Sequence, residues 1–78
     1  MQRFGEKLRH LRRQRGLMIV ELATALGYAA NSYVSELERG KKMPTTALVN
    51  KIATFFAVSR DVLLDDALEL PELTDNVE

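Results

Sequence analysis

Apolar residues recur at helical spacing in five short stretches of this chain. Phe4, Leu8 and Leu11 stand at i, i+4 and i+7, with Arg9, Arg12 and Arg13 on the flanks. Gly16 predicts the end of that helix, because the left-handed residue after a last turn favours glycine. Ile19, Leu22, Ala23 and Leu26 repeat the spacing as far as Gly27. A third helix is predicted from about Ala30 to Arg39, burying Ala30, Val34 and Leu37 and closed by Gly40. Thr45, after Pro44, predicts the N-cap of a fourth, with Leu48, Ile52, Phe55 and Phe56 inward. Ser59 caps a fifth, where Asp61 suits the positive end of the helix and Val62, Leu63 and Leu64 supply packing. No stretch alternates strictly between apolar and polar, so strands are not indicated. Beyond Asp66, Pro71 and a run of acidic residues predict a weakly ordered end. The expected organisation is one domain over residues 1–66 and an acidic C-terminal tail over 67–78.

The second and third predicted helices, joined by a glycine-containing turn, form a helix-turn-helix. The second of the pair carries a polar stripe. Asn31, Ser32, Ser35, Glu36 and Arg39 fall on one face, opposite Val34 and Leu37. These short or planar polar groups can reach base edges without steric bulk, whereas a merely solvated helix more often carries long Lys and Glu residues there.

Composition narrows the function classes. With 78 residues, 46% hydrophobic, the chain builds one modest core. It has no cysteine, which excludes disulfides, a cysteine zinc site and thiol catalysis. A single histidine, no Gly-rich phosphate loop and carboxylates gathered near the C-terminus leave no set of catalytic groups, so an enzyme is not expected, nor a cofactor or metal. No apolar run reaches about 18 residues, and the opening Met1–Glu6 stretch does not read as a signal peptide. The expectation is a soluble, cytoplasmic protein without a membrane partner.

The net charge of zero hides a strong asymmetry. Residues 1–60 hold all 11 Lys and Arg against four glutamates, a net +7, while residues 61–78 hold seven acidic residues and no basic one. A basic body joined to an acidic end fits nucleic-acid contact with a separate role for the tail. Plain solvation of both surfaces explains it equally well at this stage.

Several motifs together carry a family resemblance: Gly16-Leu17, Glu21-Leu22-Ala23, Leu26-Gly27, the run from Ser32 to Lys42 (SYVSELERGKK), Pro44, and Val58-Ser59-Arg60-Asp61-Val62-Leu63-Leu64. In this order and spacing the chain resembles the Xre/Cro-type helix-turn-helix family, which includes phage repressors and restriction–modification controller proteins. The likeness covers about residues 4–66. It implies an all-α, compact five-helix lambda-repressor-like DNA-binding domain with its helix-turn-helix in helices 2 and 3. It implies a sequence-specific transcriptional regulator, acting as a homodimer on a two-fold operator in double-stranded DNA.

Carried over residue by residue, the family's base readers fall on Asn31, Ser32 and Glu36, with Ser35 on the same face. Its phosphate contacts fall on Arg39, Lys41 and Lys42. Asn31 suits bidentate pairing with adenine, Ser32 suits several bases, and Glu36 can accept from cytosine N4. The alternative for Glu36 is a salt bridge to Arg39 or Lys41. Glu38 matches a glutamate that pairs with an arginine late in the first helix, here Arg12, as a structural ion pair rather than a DNA contact. Two departures stand out. Where the family commonly opens its second helix with a Ser or Thr cap and then Gln, this chain has Met18-Ile19-Val20, which lacks the cap. Ile19 then extends the core face, and Met18 with Val20 forms a small apolar patch. The turn Gly27-Tyr28-Ala29-Ala30-Asn31 is also one residue longer than the commonest form, which leaves the register of Asn31 open by one position and brings Tyr28 and Ala29 near the DNA backbone.

The remaining features are less specific. His10, among Arg9, Arg12 and Arg13, reads as an exposed lone histidine. The Arg9–Arg15 stretch either flanks phosphates or is ordinary solvated helix. Tyr33 is expected against the turn, and Leu68, Leu70 and Leu73 either dock on the domain or on a second subunit or stay free. A second function class also remains: a protein-interaction subunit such as an antitoxin or anti-regulator, favoured by Ile19, Val20, Glu36 and the acidic tail.

Overall fold

The computed structural model describes residues 3–70, and among them it is all helix and turn. Five helices follow in order: α1 (Phe4–Gln14), α2 (Ile19–Ala25), α3 (Ser32–Glu38), α4 (Thr46–Phe56) and α5 (Arg60–Leu64). They enclose one core. α1 gives it Phe4, Leu8 and Leu11, α2 gives Leu22 and Ala23, with Leu26 just beyond, and α3 gives Val34 and Leu37. α4 adds Leu48, Val49, Ile52, Ala53 and Phe56, and α5 adds Leu63. The periodicity predicted most of these because each helix is too short to stand alone and must bury one stripe.

Helix ends are set locally. Thr45 and Ser59 cap α4 and α5 through their hydroxyls, which accept from the Leu48 and Val62 amides at 3.1 and 3.2 Å. α2 has no hydroxyl cap, as its sequence implied, but its first amide is not left open: Glu21 Oε1 accepts from Met18 N–H at 2.7 Å. α4 ends without glycine. Ala57 takes the left-handed conformation at φ 58°, and its successor Val58 donates to the Ala53 carbonyl.

Two expectations need correction. Ala30 is exposed and lies before α3, which begins at Ser32, because the longer turn takes up residues 28–30. Leu64 is exposed, since in a five-residue helix only Leu63 can face the core fully. Phe55 does face inward, packing half-buried against the core with its ring edge-on to Phe56 and the Arg15 guanidinium 5.9 Å away.

Two contacts position α1. At Gly5 it crosses the C-terminal end of α3 so closely that a Cβ would fall against the Leu37 carbonyl oxygen and 2.6 Å from that of Glu38. Two residues on, the buried Lys7 reaches past α5. Its ammonium donates to the Val62, Asp65 and Leu68 carbonyls at 2.6, 2.9 and 2.6 Å, which uses all three of its protons. Carbonyls at a helix C-terminus lack intrahelical donors and carry partial negative charge, so a cation is the fitting cap.

Packing does not stop at the boundary expected after Asp66. The Leu68 carbonyl is held by Lys7, Glu69 meets Arg3, and Leu70 packs against the core. Leu73 and the rest of the acidic end lie outside the described residues.

Candidate nucleic-acid interface

The α3 face opposite Val34 and Leu37 is polar and open. Asn31 and Ser32 are exposed at its N-terminal end, and Ser35 and Glu36 are half-buried one turn on. Asn31 is the N-cap by its backbone, its carbonyl accepting from Ser35 N–H at 3.0 Å, while its side chain makes no capping bond. The amide is therefore available to an outside partner. Arg39, Lys41 and Lys42 follow α3, all exposed around Gly40. Polar side chains on the helix are thus followed directly by three exposed cations.

Glu36 meets neither Arg39 nor Lys41. Its carboxylate lies 3.9 Å from Lys42 Nζ, and both side chains are substantially exposed. Such a loose pair contributes little to stability, at most about 1 kcal/mol, and leaves both groups free to exchange partners.

Arg12 and Glu38 make a much tighter contact. Arg12 Nε donates to Glu38 Oε2 at 2.7 Å and Nη2 to Oε1 at 3.3 Å, while Nη1 donates to the Leu17 carbonyl at 2.7 Å. The side chains are 12% and 5% exposed. One guanidinium thus fastens the end of α3 to α1 and to the turn before α2. The planar fork supplies the bidentate geometry that a lysine could not.

The long turn folds back on the helix it introduces. Tyr28 and Tyr33 stack edge to face with centroids 5.0 Å apart. Tyr28 N–H also donates to the Ala23 carbonyl at 2.8 Å. Lys51, from α4, donates to the Leu26 carbonyl at 3.2 Å and caps the end of α2. The helix pair is therefore held from α1, from α4 and by its own turn.

On the flank of α2, Ile19 packs against the core while Met18 and Val20 are exposed, as is Met43 after α3. His10 is exposed on α1 and helps line an open groove of about 580 Å³ with Arg9, Arg13 and Leu70. Among the described residues no His, Cys, Asp and Glu cluster suits a metal ion, and no helix is long and apolar enough to cross a membrane.

Residues 3–70 match the family model of a helix-turn-helix domain. The chain belongs to the Xre-type helix-turn-helix family. It is 35% identical over 74 residues to the HTH-type transcriptional repressor RghR of Bacillus subtilis (strain 168), covering 94% of this chain and 54% of that protein. It is 34% identical over 64 residues to the cryptic phage CTXphi transcriptional repressor RstR of Vibrio cholerae, covering 82% of this chain and 57% of that one. The chain spans about half the length of these curated relatives. For a helix-turn-helix domain of this family, α2 and α3 are the paired helices, and the polar stripe lies on the second of them.

Two positions that hold this arrangement escaped the motif reading. Gly5 interrupts a helical pattern, the usual mark of a close backbone approach. Lys7 sits within the apolar stripe, three residues after Phe4 and four before Leu11, a spacing that could have marked it as inward-facing.

Proposed function

We propose that the protein is a sequence-specific DNA-binding transcriptional repressor. The observation that carries this reading is the open polar stripe on a helix whose orientation is fixed by the Arg12–Glu38 pair. Two relatives named as transcriptional repressors support it. In this reading α3 enters the major groove N-terminus first. Asn31, Ser32, Ser35 and Glu36 face base edges, and Arg39, Lys41 and Lys42 meet phosphates. Lys42 turns from Glu36 to a phosphate, and Glu36 then accepts from cytosine N4. Arg12 and Glu38 orient the helix and do not touch DNA. The protein acts in the cytoplasm as a homodimer, with its two α3 helices in successive major grooves about 34 Å apart on a two-fold site.

Selection of bound sequences from random duplexes tests this directly, and a palindromic consensus is expected. Asn31→Ala should relax preference at one position per half-site, at about 1–3 kcal/mol. Lys41→Ala should weaken all sequences alike and flatten the salt dependence by about 0.9 in log–log slope. A protein-interaction subunit, the reading that exposed Met18 and Val20 favour, would show no preference among duplexes. That result overturns the proposal.

A further inference from the structure

The groove along α1 is lined by more charge than the helix-turn-helix needs. Three of its carboxylates already have cations: Glu6 and Glu69 both meet Arg3, and Glu38 meets Arg12. Arg9 and Arg13, one helical turn apart on the same wall, have no ion-pair partner among the described residues. The groove therefore presents two unanswered guanidinium groups beside the apolar edge of Leu70.

The chain itself leads into this groove. Asp66 and Glu69 are fastened to Arg3 at one end, through Arg3 N–H to Asp66 Oδ1 at 2.9 Å and Nη1 to Glu69 Oε2 at 3.0 Å. Leu70 then lies in the groove beside Arg9, His10 and Arg13. The sequence continues with Glu72, Asp75 and Glu78. The chain is long enough to reach both arginines. Along α1, Arg9 lies about 9 Å past Arg3 and Arg13 about 15 Å past it, at ~1.5 Å per residue. An extended chain from Glu69 reaches about 10 Å by residue 72 and 20 Å by residue 75, at ~3.3 Å per residue.

We propose that the α1 groove is a binding site for an acidic peptide segment, recognised by Arg9 and Arg13, and that residues 71–78 of this chain are its occupant. The contact continues an interface that Arg3 and Glu69 already begin. Its consequence is to neutralise the α1 arginines, which would otherwise attract phosphates without regard to sequence. The site and its test do not depend on DNA binding.

Because the chain holds no cysteine, Val77→Cys offers a unique position for a spin label in the 78-residue chain. Paramagnetic broadening is then read on the backbone amides of α1. Selective loss of intensity at Arg9, His10 and Arg13 is expected at about 0.15 M salt, where the Debye length is near 8 Å, and should recede at about 1 M, where it is near 3 Å. Mixing labelled chains with isotope-enriched unlabelled ones separates the sources. Broadening that survives only within one chain supports the assigned occupant, and broadening across chains overturns it in favour of a second copy's acidic end. Glu72→Gln, Asp75→Asn and Glu78→Gln together should abolish the effect. No broadening, or broadening that persists in this neutral variant, overturns charge recognition by the groove.

Discussion

Gly5→Ala adds one methyl group, and the structure says where it lands. The new Cβ would fall against the Leu37 carbonyl oxygen, 2.6 Å from the Glu38 oxygen and 2.9 Å from its carbonyl carbon. All three are backbone atoms, so no side chain can swing aside. Restoring ordinary contact requires α1 and α3 to part by roughly 1 Å, and atoms packed along the whole crossing then lose part of their dispersion attraction. Overpacking of this kind costs about 1–3 kcal/mol. The better helix propensity of alanine returns about 1 kcal/mol at most. A net loss of up to about 2 kcal/mol should lower the melting temperature by up to roughly 16 °C for a domain of this size. Gly16→Ala serves as the comparison. Its site has open space and φ +68°, so it carries backbone strain of about 1 kcal/mol but no wedge between helices. Thermal unfolding followed by circular dichroism gives stability, and amide shifts along α3 report displacement. If Gly5→Ala melts at or above the wild-type temperature with α3 shifts unchanged, the close-approach reasoning is wrong.

Glu38→Ala should cost about 3–5 kcal/mol, because it leaves the Arg12 guanidinium largely buried with one carbonyl partner, whereas Glu36→Ala should change stability by less than about 1 kcal/mol; equal melting temperatures would refute this. Lys7→Met keeps the apolar stem but takes the ammonium from three carbonyls, of which that of Asp65 keeps the Leu68 N–H, an expected loss of about 3 kcal/mol, with hydrogen exchange rising first in α5. Direct hydrogen bonds from Arg3, then its charge, hold Glu69 below its ordinary value of 4.5. The stabilisation from that pair is therefore fully present above pH 4.5 and disappears as pH falls through the lowered folded-state value. Titration of the Glu69 carboxyl by carbon NMR in wild type and Arg3→Ala checks the direction, and no upward move in the variant would count against the contact.

The fold was legible where periodicity and capping agreed. The stripes of α1, α2 and α4 and the hydroxyl caps Thr45 and Ser59 each express one local rule, and each stands where the sequence puts it. Legibility failed where a long-range constraint outweighed a local one. Ala30 continued a helical pattern, yet the extra turn residue and the Tyr28–Tyr33 contact delayed α3 to Ser32. Lys7 looks like a surface residue by type and is buried by its partners, three carbonyls 55 to 61 residues away that no local reading can supply. Ala57 ends α4 in a conformation glycine usually takes, so that stop carried no signal. Among the candidate readers, the sequence located the stripe but not the partner of Glu36, because Lys42 reaches it only through the bend at Gly40.

The internal capping by Lys7, Lys51 and Arg12 changes what the formal charge of the basic region means. These cations, with Arg3, are occupied by carbonyls and carboxylates of the same chain. Lys7 and Arg12 are withdrawn from water, and Arg3 and Lys51, though more exposed, already have protein oxygens as partners, so none of the four is free to neutralise a phosphate without giving up an internal contact. Affinity for a polyanion grows with the ions its partner displaces, so it depends on Arg39, Lys41, Lys42 and the few cations still hydrated, rather than on all 11. In a thermodynamic sense this is a less cationic protein than its sequence suggests, with a gentler response to salt than a count of lysines and arginines would forecast.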